Sequence, residues 1–197
     1  VQRFDEIDFP ALTEGLGGTW RAEEVAVKPF PICHLLHACA DSALALRRKH
    51  NLKPEDIADV SALLHPEVFH YVCEPPEMRR APVSDYMAKF SVQYVVAACL
   101  VRGRFGFAEL EDEALKDPAI LAMAQRVSHG ADPDSAFPKY FSGGVVIRTR
   151  DGRTLPHMEK INRGNGERAM TGDEIAAKFM RSEEHTSELQ SHHDLVC

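Results

Sequence analysis

Apolar residues recur at helical spacing just after Lys28-Pro29-Phe30-Pro31. Leu36, Ala40, Ala43, Leu44 and Leu46 suit one helix, predicted from about Ile32 to Lys49. The two prolines before it impose an extended entry and delay the helix until they are passed. Arg47, Arg48 and Lys49 fall where cations meet the negative pole of the helix dipole. A second helix is predicted from Asp85 to Arg102, with Ser84 as its N-cap and Gly103 closing it. It is apolar nearly all round (Phe90, Val92, Tyr94, Val95, Val96, Ala97, Ala98, Leu100), which predicts burial between layers. Asp117-Pro118 opens a third, running to roughly Val127.

Strand patterns lie between these. Thr19 to Val27 mixes β-branched and aromatic residues in rough alternation and reads as a strand. Val60 to Leu64 and Val68 to Val72 read as two more, after a short helical turn at Lys53-Pro54-Glu55-Asp56. Cys73 to Pro82 reads as a polar, proline-rich loop. Val145 to Thr149, Asp151-Gly152 and Thr154 to Met158 form a hairpin on an Asp-Gly turn. Thr171-Gly172-Asp173-Glu174 is a capping box opening a last helix, Ile175 to Met180. Strands and helices mix without strict alternation, so the fold class expected is α+β.

Composition narrows the function. The 197 residues carry 23 Lys and Arg against 30 Asp and Glu, a formal charge of −7. No basic block stands out, so neither a phosphate backbone nor an anionic membrane finds its counter-charge. The longest apolar stretch, Tyr94 to Val101, is far too short to span a bilayer. No basic segment followed by an apolar one opens the chain. Five Cys at irregular spacing do not make a secreted disulfide framework, and a reduced cytoplasmic protein is expected.

Both ends read unusually. Val1 to Pro10 enters in mid-pattern, and a fragment is expected. Arg181 to Cys197 has no apolar stripe, and its opening RSEEHTSELQS resembles a translated sequencing adapter. That resemblance removes His185, His192, His193 and Cys197 from any inventory of functional residues.

The densest chemical cluster is Lys28, Cys33, His34, His37 and Cys39. His34 and His37 stand three apart and can share a helix face, but zinc signatures need a second ligand pair, and neither CxxC nor HExxH occurs. Unpaired Cys33, Cys39 and Cys99 suit buried positions as small hydrophobes, and a nucleophilic Cys33 beside His34 is the alternative. A Lys held beside prolines is a fixed cation suited to a carboxylate, and a helix-start His is a proton donor or acceptor near neutral pH. The competing account is a surface Lys with histidines bonded to backbone. Tyr94, with Ser91 and Gln93, is a polar group in an apolar helix and needs a partner, whether in the core or in a site. Gly164-Asn165-Gly166 lacks phosphate-loop spacing and reads as a plain loop.

Three stretches together resemble the C-terminal half of the MmgE/PrpD family. They are Lys28-Pro29-Phe30-Pro31 with His37 nine positions after the lysine, the Ser91-Val92-Gln93-Tyr94-Val95-Val96-Ala97 helix, and the Asp-Gly hairpin with the closing Glu174-Ile175 to Lys178-Phe179. The resemblance runs in order over about residues 16–180. It implies the small α+β domain of a two-domain protein whose all-helical domain is largely missing. Residues 1–18 would lead out of that domain, 19–158 form the small domain, 159–180 return with a helix, and 181–197 be the adapter-like tail.

It also implies a cofactor-independent lyase, a dehydratase or decarboxylase, that binds no metal. The substrate would be a small polycarboxylate such as 2-methylcitrate or cis-aconitate, placing the enzyme in propionate catabolism or nearby. The full-length protein would be a homodimer. Lys28 matches the family lysine, His37 its histidine and Tyr94 its tyrosine. A further family histidine falls at Cys33, with His34 adjacent, so both stand for that place. Catalytic roles thus go to Lys28, His34, His37 and Tyr94, and substrate binding to Lys28 and Tyr94. Alternatives are an epimerase or isomerase of the same family, or a non-catalytic carboxylate-binding domain. Since the rest of such a site would come from the missing domain, residues 1–180 alone are expected to be inactive.

Overall fold

The computed structural model describes residues 8–18, 20 and 25–181. Its centre is β1 (Ile57–Leu64), a strand with neighbours on both sides. The sheet order is β2-β1-β3-β4, with β2 (Val127–Ala131), β3 (Gly143–Thr149) and β4 (Thr154–Glu159). β1 pairs parallel with β2 and antiparallel with β3, so Val60 lies opposite both Val127 and Ile147. All three are fully buried. A parallel pair needs a long crossover, and the helical residues between β1 and β2 supply it. β3 and β4 are the expected hairpin, with Gly152 at φ 90° in its turn. The fold class is α+β, as the sequence reads.

Helices cover the sheet. α1 (His37–His50) lies over β3 and β4, and α5 (Val92–Arg102) lies over β1 and β2. Gly143 lets α1 approach closely: a Cβ there would sit 2.8 Å from the Leu63 carbonyl oxygen and 3.4 Å from Cys39 Sγ. Cys39 fills the gap and donates to the Gly144 carbonyl at 3.4 Å. Burial pushes its thiol far above the ordinary range, as it does for Cys99, and it pushes Cys73 up to about 12. Cys39 and Cys99 are buried core thiols as the sequence suggests, and Cys73 joins them, whereas Cys33, expected with them, does not. Cys33 is half-buried, and its backbone N–H donates to Lys89 O at 2.9 Å.

Several elements differ from the sequence reading. Val68 to Val72 is helical, a 3-10 turn followed by α2 (Phe69–Val72). His65-Pro66 starts it, with His65 Nδ1 accepting from the Glu67 N–H at 3.3 Å. Val68 and Val72, four apart, then share a buried helical face that alternation mimicked. Within Cys73 to Pro82 the chain forms α3 (Pro76–Arg80) rather than loop throughout.

The long helix from Asp85 to Arg102 is two helices, α4 (Asp85–Ala88) and α5, because Ser91 is extended. The Ser91 hydroxyl accepts from the Tyr94 N–H at 3.0 Å and donates to the Arg79 carbonyl. A buried serine that satisfies both bonds restarts the helix instead of continuing it. Beyond it come α6 (Asp112–Leu115) and α7 (Pro118–Ala124), which stops short of Val127, the first residue of β2.

The helix after Thr171, α8, spans 172–181, and its capping box is reciprocal: Thr171 N–H to Glu174 Oε2 at 2.9 Å, Glu174 N–H to Thr171 Oγ1 at 3.2 Å. The strand expected over Thr19 to Val27 falls largely outside the described residues, and Val25 to Val27 is irregular. The adapter-like tail also lies outside them, apart from Arg181. No helix among the described residues is long and apolar enough to cross a membrane.

Candidate functional site around Lys28 and His34

Rather than running extended, Lys28-Pro29-Phe30-Pro31 bends from Pro29 through Ile32 as a strap leading into α1. The Val27 N–H donates to the Gly164 carbonyl at 3.1 Å, which ties the strap to the loop after β4. Phe30 is the anchor: buried, it meets the His37 ring edge-on at 5.5 Å and the Arg163 guanidinium at 5.4 Å. His34 begins a 3-10 turn that leads directly into α1 at His37.

Lys28 and both histidines come together. The Lys28 ammonium donates to the Ile32 carbonyl at 3.3 Å, and His37 Nε2 lies 3.4 Å from the same oxygen. A carbonyl only accepts, so His37 carries its proton on Nε2. Its Nδ1 is buried with no hydrogen-bond partner among the described residues. The His34 and His37 rings lie 4.7 Å apart.

Both imidazoles are held neutral. Burial, then His34 and the cations Lys28 and Arg163, bring His37 down to about 3, against a weaker opposing pull from Ile32 O. Half-burial and Lys28 lower His34 as well. The cluster therefore offers one ammonium beside two uncharged rings.

Two residues behind this cluster were not singled out by sequence reasoning. Asn162, almost fully buried, reaches His34 with Nδ2 3.2 Å from Nε2. Arg163 pairs with Asp41 of α1 at 3.0 Å and with Glu174 of α8 at 2.9 Å. Burial raises the Asp41 carboxyl while Arg163 pulls it back down. Asp41 had a visible signal, since an acid on the buried side of α1 demands a partner. Nothing in the local pattern marks Asn162 or Arg163.

Tyr94 lies elsewhere in the core. It is fully buried, and its hydroxyl donates to the Glu109 carbonyl at 2.8 Å. The Glu109 carboxylate in turn accepts from the Gly106 N–H at 2.7 Å and from Arg104 Nε at 3.0 Å. This network shapes the 103–109 loop, which walls a cavity of about 810 Å³ together with the Lys28–Pro31 strap and α8. Cations Lys28, Arg104, Arg163, Lys178 and Arg181 line that cavity against Glu109 and Glu174. A chain of net charge −7 thus concentrates positive charge at one opening. The cavity takes in Lys28 but not His34, His37 or Tyr94. Among the described residues, no group of three or more His, Cys, Asp or Glu could hold a metal ion.

The profile of the MmgE/PrpD C-terminal domain matches residues 30–194. The chain belongs to the MmgE/PrpD family. That match reaches past Arg181 into the segment that resembles an adapter. The chain is 27% identical over 165 residues to cis-aconitate decarboxylase of Mus musculus, covering 80% of this chain and 32% of the relative. It is 25% identical over 163 residues to cis-aconitate decarboxylase of Homo sapiens, covering 80% and 32%. The chain therefore spans about a third of the length of these curated MmgE/PrpD relatives.

Proposed function

We propose that this chain is the small-domain part of a cofactor-independent lyase acting on a small polycarboxylate, by proton transfer at a carbon beside a carboxylate. Cis-aconitate or 2-methylcitrate is the substrate type, and decarboxylation or dehydration the reaction. The enzyme works in the cytoplasm, as a homodimer once its helical domain is present.

The observation that carries this reading is the fixed ammonium of Lys28 beside two neutral imidazoles, at the edge of a cationic cavity. Removing a proton or carbon dioxide next to a carboxylate leaves enediolate-like negative charge. Lys28 binds the carboxylate and stabilises that charge as it grows, a contact worth a few kcal/mol when pre-positioned. His34, half-buried and outside the cavity lining, is the imidazole assigned to the substrate in the completed two-domain site. His37, sealed below it, supports the His34 ring. Tyr94 supports the site through the 103–109 loop, since its hydroxyl is bound to Glu109.

Lys28→Ala in the full-length protein tests this. We expect kcat/KM for the polycarboxylate to fall at least roughly 100-fold. Activity within a few-fold of the unaltered enzyme would remove Lys28 from the site. Residues 1–180 by themselves are expected to turn over neither cis-aconitate nor 2-methylcitrate, and measurable turnover would show that the site is complete without the helical domain.

A further inference from the structure

We infer that Asn162 is a positioning residue that locks His34 in one tautomer, with its proton on Nδ1, so that the ring meets an anionic oxygen as a neutral hydrogen-bond donor. Phe141 sets the orientation of the Asn162 amide. Its backbone N–H donates to Asn162 Oδ1 at 3.1 Å. A backbone N–H can only donate, so the amide atom facing it is the oxygen, and the orientation of Asn162 is settled. The other amide atom, Nδ2, is therefore the one 3.2 Å from His34 Nε2.

An amide nitrogen only donates, so Nε2 must accept and carries no proton. A neutral imidazole has one ring proton, and it resides on Nδ1. Asn162 is 2% exposed, which protects this arrangement from water. Ring contacts to Phe141 at 5.3 Å and His37 at 4.7 Å hold the imidazole plane.

The two histidines are thus set in opposite forms, His37 with its proton on Nε2 and His34 with its proton on Nδ1. The free lone pair of His34 is occupied by Asn162, so His34 does not take the proton from carbon. It presents an N–H as a donor for an anionic oxygen in the completed site, and the base is another group. The catalytic meaning rests on the lyase reading above. The tautomer itself does not.

The test is two-bond ¹H–¹⁵N correlation of histidine-labelled chain at neutral pH. For His34 we expect Nε2 to show the shift of an unprotonated ring nitrogen and Nδ1 that of a protonated one. The reverse pattern, or an even mixture, overturns the proposal without any variant. In Asn162→Asp the carboxylate can only accept, so the proton should move to Nε2. Persistence of the Nδ1–H form in that folded variant would also overturn it. Loss of turnover is not the readout, so these outcomes stand apart from those of Lys28→Ala.

Discussion

The Tyr94 hydroxyl and the Glu109 backbone carbonyl are joined by a 2.8 Å hydrogen bond inside the core, fifteen positions apart in the chain. It links the most buried helix of the fold to the loop that walls the cationic cavity. Burial and the nearby Glu109 carboxylate keep the phenol well above its ordinary range, so it remains protonated and donates. Tyr94→Phe keeps the ring and removes that bond, leaving a buried carbonyl unpaired. The expected loss is about 1–3 kcal/mol of unfolding free energy in urea titration. An unchanged midpoint would mean that the hydroxyl bond contributes nothing.

Arg163 should behave as a half-buried clamp. Asp41 is 10% exposed and Arg163 26%, whereas the other partner, Glu174, is 40% exposed. Arg163→Met strands the Asp41 carboxylate and should cost about 3 kcal/mol. Glu174→Gln, at the exposed end, should cost no more than about 1 kcal/mol. Adding Asp41→Asn to Arg163→Met should recover part of the loss, since the stranded charge is gone. A strictly additive double variant would deny the coupling.

Gly164 is expected to be intolerant. Its φ is +89°, and a Cβ would run into the Val27 carbonyl oxygen and press on Pro29 Cδ. Gly164→Ala should therefore destabilise by more than about 1 kcal/mol and speed hydrogen exchange at the Val27 amide. Gly172→Ala meets open space and should stay within about 0.5 kcal/mol. Equal effects at the two positions would argue against a strap held at Gly164.

Stability should fall on the acid side because of His37. Folding holds it neutral down to about 3, while the unfolded chain takes up the proton near the ordinary value of 6.5. Above that value both states are neutral and nothing changes. Below it the unfolded state alone gains a proton, so stability is lost as pH falls from about 6.5 toward 3, by up to about 1.4 kcal/mol per pH unit. His37→Gln cannot titrate, and its urea midpoints should be flatter over that range. An identical acid slope would place the loss on other groups.

The local signals that succeeded depend on near neighbours. The stripe from Leu36 to Leu46, the Asp151-Gly152 turn and the Thr171–Glu174 capping box each form through contacts within a few residues. The same locality explains the failures. Val68 and Val72 satisfy either a strand or a helical pattern, and the His65-Pro66 start decides for helix. Ser91 resembles a tolerated polar residue within a helix until the Arg79 carbonyl, twelve positions back, takes its hydroxyl proton. Val127 looks like a helix end until β1 pairs with it.

The candidate site divides the same way. The Lys28–Pro31 strap and the placement of His34 and His37 at the start of one helix are written in consecutive residues, because proline fixes backbone angles wherever it occurs. Family membership was legible there too, through Lys28, His37 and the Ser91–Ala97 stretch. Tertiary structure alone set the partners: Asn162 on His34, Arg163 on Asp41, and Glu109 on Tyr94. A buried polar group must be satisfied by whatever the fold brings within about 3 Å, and chain separation leaves no trace of that choice in local pattern. Sequence thus determined which chemical groups stand beside the strap, and packing determined which of them are charged, which are protonated and where.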